Sequence, residues 1–290
     1  MRKIGDRRDG IRVKNLDGMH VMLPHLKPNR CNSDIYINQK IDVTEMVKYM
    51  DKLKKKHSDK KITYFHLFSM AIAKVIYNKP LLNRFIINRK YYDRNSVSLG
   101  FVAKVSFDDD AKECFLTVDI PAKTNVFKIS DVFNEAVSRV RNNKQNKTDN
   151  LIDLVGRLPN FLIKIIMKLF KLLDNYDLLP KSLTVNDIYH STLIISNLGS
   201  INCGSIYHNL TDFGTSSILL TIGTIHKEPV VMENGEIVSR DIVDFGINLD
   251  ERIADGVYFA KAVQLFEYIL QNPKLLEGNA DDIIDRPFKK

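Results

Sequence analysis

Apolar and polar positions alternate from Ser33 to Val43 (SDIYINQKIDV), the period of a strand with one covered face. The period then changes. In TEMVKYMDKLKKKH, Val47, Met50 and Leu53 fall on one side of a helix whose lysine run suits its C-terminus. Thr63 is placed to cap a second helix, ITYFHLFSMAIAKVIYNKP, which closes before Pro80 and is apolar on most sides, as a buried helix is. FIINRK, SVSLGFVAKVSF and KECFLTVDIP read as three strands, the last two joined by a tight turn at residues 108 to 113. Ser130 is expected to cap the next helix, SDVFNEAVSRVRNNK, and the polar run NNKQNKTDN after it is linker-like but too short to divide the chain.

Residues 151–180 form the most unusual segment, LIDLVGRLPNFLIKIIMKLFKLLDNYDLLP. On a helix, Lys164, Lys168 and Lys171 share one narrow stripe, while Phe161, Leu162, Ile165, Ile166, Leu169, Leu172 and Leu173 cover the rest. So broad an apolar surface has to be covered, by packing inside the protein or against another subunit, by a lipid surface, or by a partner's groove. Beyond Pro180, STLIISNLG and TSSILLTIGTI are rich in β-branched residues, and Asn234-Gly235 lies between two apolar stretches, a hairpin signal. A last helix, GVYFAKAVQLFEYILQN, is expected to give Val257, Phe259, Ala260, Val263, Phe266 and Ile269 to the core. Strands and helices are mixed without regular βαβ spacing. The pattern predicts one α/β (α+β) two-layer domain over residues 1–290, its mixed, largely antiparallel sheet covered by helices.

Composition narrows the function. With 290 residues and 44% hydrophobic content the chain fills a substantial core. Its 43 Lys and Arg against 35 Asp and Glu leave a net charge of +8, suited to an anionic membrane or an anionic cofactor such as a CoA thioester. No zinc-finger spacing or RNP-like pattern accompanies the charge, so no nucleic acid is expected. Cys31, Cys114 and Cys203 form no CxxC pair, the N-terminus is charged, and no run of 18 uncharged apolar residues occurs; a reduced, cytoplasmic protein is expected. His20, His57, His66 and His226 have no metal-site spacing, and no metal is expected; Walker and Rossmann fingerprints are lacking too.

Three blocks, ITYFHLFSMAIAKVIYNKPLLNRF (62–85), LIISNLGSINCGSIYHNLTDFGTSSILLTIG (193–223) and DERIADGVYFAKAVQLFEYI (250–269), together resemble the catalytic domain of the 2-oxoacid dehydrogenase acyltransferases, the dihydrolipoamide acyltransferases, over roughly residues 20 to 275. The resemblance implies the chloramphenicol-acetyltransferase-like fold, a homotrimer or an assembly of trimers, and active sites at subunit boundaries between a channel for acyl-CoA and one for the acyl acceptor. It also implies a free-standing core, with no lipoyl domain, lipoyl attachment or peripheral-subunit-binding domain before residue 20.

In that family's motif a histidine follows the first aspartate and acts as general base. Here the motif reads Asp250, Glu251, Arg252, Ile253, Ala254, Asp255, Gly256. Glu251 stands at the base position, either as a carboxylate base or as an ion-pair partner of Arg252 or another cation. Asp255 caps the helix at Gly256, and the resemblance makes it a buried carboxylate paired with an arginine, Arg30 or Arg12. Ser196 falls where the family places an oxyanion-stabilising hydroxyl, or is a strand-end serine with Ser200 near it, while Asn197 and Gly199 shape the turn. His208 is a second candidate base, able to act with Glu251 if the two meet, or a turn or subunit-contact residue; His190 is a weaker candidate base and Cys203 a weaker candidate nucleophile, while His25, in a stretch resembling the family's PH sequence, suits the assembly or the substrate channel and not catalysis. Residues that bind CoA are not identified.

Two functions remain. One is an acyltransferase moving an acyl group from acyl-CoA to a small-molecule thiol, hydroxyl or amine acceptor. The other is an inactive trimeric ligand-binding or scaffold protein that has lost the histidine, with peripheral membrane contact through 151–180.

Overall fold

The computed structural model describes residues 3–104, 113–142, 155–184, 187–286 and 288. The expected turn after residue 107, up to residue 112, the linker-like run beyond residue 142 and residues 151–154 lie outside the described residues.

The strands of the main sheet are β2 (Asp34–Asp42), β5 (Ser98–Lys104), β6 (Glu113–Asp119), β7 (Leu193–Asn197), β8 (Ile218–Ile222), β9 (His226–Val231) and β10 (Ile237–Asp250). Their order is β2-β10-β8-β7-β5-β6, with β9 paired to the first part of β10. β7 runs parallel to β5 and β8, and the remaining pairs are antiparallel. The sheet is thus mixed and largely antiparallel. A smaller sheet joins β1 (Gly10–Arg12), β4 (Lys90–Arg94) and β3 (Arg84–Ile87) in that order.

Side-chain alternation assigns the two faces of the main sheet. Ile41, Leu220, Phe245, Ile247 and Leu249 point into the core against helices α2 (Thr44–Lys56), α3 (Tyr64–Asn78), α4 (Val126–Asn142) and α6 (Gly256–Gln271). Two further helices, α1 (Gly18–Leu26) and α5 (Asn160–Asn175), contribute nothing to the fully buried core. The opposite face, with Tyr36, Thr221, Gly246 and Asn248, is crossed by segment 203–211. There the Thr221 hydroxyl donates to Ile206 O at 2.5 Å, Tyr36 Oη donates to Asn209 at 2.7 Å, and Leu210 N–H donates to Asp34 Oδ2 at 2.9 Å. Gly246 makes the close passage work, because a Cβ there would run into Ile206 O and come 2.6 Å from Thr221 Oγ1.

Thr63 caps α3 as the sequence predicts, and Gly235, at φ +84°, turns the β9–β10 hairpin. Elsewhere the expectations need correcting. α4 begins at Val126, where Asn125 accepts from Lys128 N–H; Ser130 lies inside the helix and donates to Phe127 O at 2.8 Å. Val257 and Ala260 face outward, and Ala262, Leu265 and Leu270 take their place in the core. FIINRK is half of a hairpin whose turn residues, Asn88 and Arg89, hold φ of +48° and +57°.

Gly246→Val is expected to destabilise the protein by about 1–3 kcal/mol, the cost of overpacking a tight contact. Urea denaturation followed by circular dichroism measures it; wild-type stability in the variant would mean that segment 203–211 is not held against the sheet.

Candidate functional site

The end of β10 carries a carboxylate with no access to solvent. Asp250 is 0% exposed, and Arg252, two residues on, folds back to donate from Nε to Oδ1 and from Nη2 to Oδ2, both at 2.7 Å. Such a two-point pair is the strongest arrangement open to a buried carboxylate. A second buried cation, Arg30, lies with Nε 3.8 Å from Asp250 Oδ2 and spends its other donors on Thr211 O, Ile86 O and Gly214 O. Arg252 Nη1 reaches Lys27 O at 2.7 Å, and Arg30 N–H donates to Asp212 at 2.7 Å. These bonds draw segments 27–33, 84–87 and 211–214 around the strand end. Asp34, opposite Asp250 in the β2–β10 register, has its pKa pushed up to about 6, chiefly by burial and, despite the Leu210 N–H bond, by the neighbouring charge of Asp250.

Glu251 follows immediately. Its N–H donates to Ser33 O at 2.9 Å, and its partly exposed carboxylate is ion-paired with Lys27 rather than with Arg252. Asp255 corrects an expectation: it is exposed, caps α6 by accepting from Tyr258 N–H at 2.8 Å, and pairs with neither Arg30 nor Arg12. The buried arginine partner is Asp250, because a strand end enters the core while a helix cap faces outward. Gly256 starts α6 with open space where a Cβ would stand.

Ser196 and Asn197 close β7, and Ser196 is opposite Thr221 of β8. Gly199 allows the following turn to approach the backbone, since a Cβ there would come 2.8 Å from Gly223 O. Thr221 is paired in turn with Gly246 of β10, so Ser196 lies level with Gly246. From Gly246 to Glu251 the strand rises about 17 Å. Within one chain, therefore, Ser196 and Glu251 stand well apart, two strands across and about 17 Å along the sheet.

His208 is exposed on segment 203–211, beside the Tyr207–Tyr36 ring contact, and makes no ion pair with Glu251. Within one chain His208 is not paired with Glu251. His190 is buried between two carboxylates, with Nδ1 2.6 Å from Asp187 and Nε2 3.2 Å from Asp174. Burial alone would lower its pKa, but these partners outweigh it and raise the value to about 9. It is a structural cation. His25 and Cys203 are exposed, and among the described residues no cluster of His, Cys, Asp and Glu is arranged to hold a metal.

A cavity of about 380 Å³ opens beside Arg30 and Arg252, with the exposed Arg89 and Lys171 also on its wall. Lys27 and Asp34 are the site residues that sequence reasoning passed over, and Asp250 and Arg252 were read as motif positions without the ion pair between them. That pair carried a readable signal, opposite charges two residues apart, which the short 3-10 turn Glu251–Ile253 after β10 brings together.

The sequence profile of the family described as 2-oxoacid dehydrogenases acyltransferase (catalytic domain) matches residues 27–150 and 175–277. The lipoamide acyltransferase component of the branched-chain alpha-keto acid dehydrogenase complex of Bacillus subtilis is 22% identical over 235 residues, which cover 80% of this chain and 45% of that protein. The chain thus spans about half the length of the curated relatives it matches. A probable dihydrolipoamide acetyltransferase from Listeria monocytogenes superposes with a TM-score of 0.61 at 17% identity, covering 91% of this chain and 95% of that one. The cubic core of the pyruvate dehydrogenase multienzyme complex gives 0.60 at 14%, covering 91% and 93%. Chloramphenicol acetyltransferase gives 0.52 at 10%, over 91% and 98%, and shares the fold.

Arg252→Met strands the Asp250 charge in the interior and is expected to cost about 3–5 kcal/mol, read from urea denaturation; a cost below 1 kcal/mol would mean that Arg30 suffices alone. His190 titrates higher in the folded state than unfolded. Its contribution is therefore complete below pH 6.5 and is lost as the pH rises through about 9, on the order of 3 kcal/mol in all. The thermal midpoint should fall over this window in the wild type, and His190→Gln, less stable at pH 6.5, should fall less.

Proposed function

The chain belongs to the 2-oxoacid dehydrogenase acyltransferase family, and from that membership we propose that it transfers an acyl group from acyl-CoA to a thiol, hydroxyl or amine acceptor, at a site completed by a second copy of the chain. The observation that carries the second half is the separation of Ser196 from Glu251. Residues with complementary roles held this far apart on one sheet can meet only across a subunit boundary, in a homotrimer or an assembly of trimers. A cytoplasmic protein with acyl-CoA as cosubstrate accords with this reading.

In this mechanism Glu251 accepts the proton of the acceptor's attacking atom, which bonds to the thioester carbonyl carbon. Ser196 donates to the carbonyl oxygen as it gains negative charge, supported by the turn that Asn197 and Gly199 shape. Collapse of the tetrahedral species breaks the carbon–sulfur bond, and the departing CoA thiolate takes the proton. Lys27 has two consequences. It fixes the Glu251 carboxylate in place, and it must share that carboxylate with the incoming proton. Asp250, Arg252, Arg30 and the Asp255 cap hold the base's backbone from below. The cations around the neighbouring cavity, Arg89 at its edge among them, suit the phosphates of CoA. His208 is the reserve base, supplied from another subunit.

The same Lys27–Glu251 pair favours a second reading, a trimeric ligand-binding or scaffold protein whose base position has become an ion pair.

Thiol release from acetyl-, propionyl- and longer acyl-CoAs, with mixed acceptors, separates the two. Turnover should fall at least a hundredfold in Glu251→Gln, the scale of general-base catalysis. Equal turnover would move the base to His208, and a correctly assembled trimer without turnover would support the binding protein. Co-refolding Glu251→Gln with Ser196→Ala should restore about a quarter of wild-type activity, because random cyclic trimers rebuild one intact pairing in four. Mixtures no more active than either variant would place both residues in one subunit's site.

A further inference from the structure

We propose that α5 docks this protein, in the plane of the surface, on an anionic phospholipid bilayer. Apart from Asp174, no residue of this helix is buried, and none joins the core cluster. Phe161, Ile165, Leu169 and Leu172 are each at least half exposed, and Tyr176 and Leu178 continue the apolar surface past the helix end. Such a face on a protein's own surface calls for a partner.

The family match breaks between residues 150 and 175, so this helix lies outside the stretches that the family profile recognises.

Charge identifies the occupant. At 100° per residue Asn160, Lys171, Lys164, Asn175 and Lys168 occupy one arc of about 80°, and the exposed Phe161, Leu172, Ile165 and Leu169 follow directly beside it. Between residues 155 and 173 there is no Asp or Glu, while Arg157 adds a further exposed cation. Lysines bordering an apolar face are the pattern of a helix seated at the headgroup level of an anionic surface. Two copies packed antiparallel through this patch would set lysine beside lysine, and the one acid of the helix, Asp174, is buried and already paired with Arg7 and His190. No described helix is long and apolar enough to cross a membrane, so the contact lies along the surface.

The helix is also held where a docking element has to be. Asp174 accepts from Arg7 Nη2 at 3.1 Å and contacts His190 at 3.2 Å, and Asp177 accepts from Arg8 Nε at 2.8 Å. These bonds fix the last turn to the body. Lys171 and Asp174 also line the cavity beside Arg252, so docking would bring the candidate site close to the lipid surface.

Flotation of the whole chain with vesicles tests this, using phosphatidylcholine alone and phosphatidylcholine with 30% phosphatidylglycerol. Binding should require the anionic lipid and weaken with salt. It should fall on the order of a hundredfold in Lys164→Gln/Lys168→Gln/Lys171→Gln, at about fivefold per lysine. Leu169→Gln/Leu172→Gln should abolish flotation while sedimentation velocity and circular dichroism stay at wild-type values. Wild-type chain that floats with neither vesicle would overturn the proposal, as would a Leu169→Gln/Leu172→Gln variant whose assembly loses mass, since that face would then be a contact between copies.

Discussion

Asp250 sits at 0% exposure where β10 ends, and a charge so placed has to be answered by cations brought in from other parts of the chain. Arg252 answers it from two residues away, and Arg30 from the segment before β2. Because each guanidinium also holds backbone carbonyls, the pairing fixes three segments at once, those at Lys27, Ile86 and Thr211–Gly214. Glu251 has its position because its neighbours on both sides are held in this way.

A second network, built on the same chemistry, secures the other flank. Asp174 receives Arg7 and His190, and Asp9 receives Arg7 as well. The two networks divide the labour: the first positions a carboxylate that can face substrate, and the second joins the N-terminal segment to the end of α5. Neither resembles an apolar core, and in both the worth of each charge lies in the cost of removing its partner.

Local signals in the sequence were enough for β2, α2, α3, the β9–β10 hairpin and α6, because strand alternation, a Thr63 cap and an Asn-Gly turn are written within a few residues. The β3–β4 hairpin escaped because Asn88 and Arg89 adopt positive φ without a glycine to announce it. Ser130 looked like a cap and is a helix-interior hydroxyl returning to Phe127 O, a competition that side-chain type alone does not resolve. At the site, motif order located Glu251 and Ser196, but their separation depends on strand register. The pairing of Glu251 with Lys27 joins residues 224 apart, and no local pattern encodes it. The arginine pairing expected of Asp255 belongs to Asp250 for a related reason: the sequence gives both as aspartates of one motif, and burial distinguishes them.

α5 shares its last turn with the body and nothing with the core. Mutations along its outer face therefore carry little folding penalty, and selection can rewrite them without touching the chemistry beside Asp250. Such a helix can diverge faster than the fold that carries it. Relatives alike in every strand of the sheet can, by this one segment, present different faces to their surroundings.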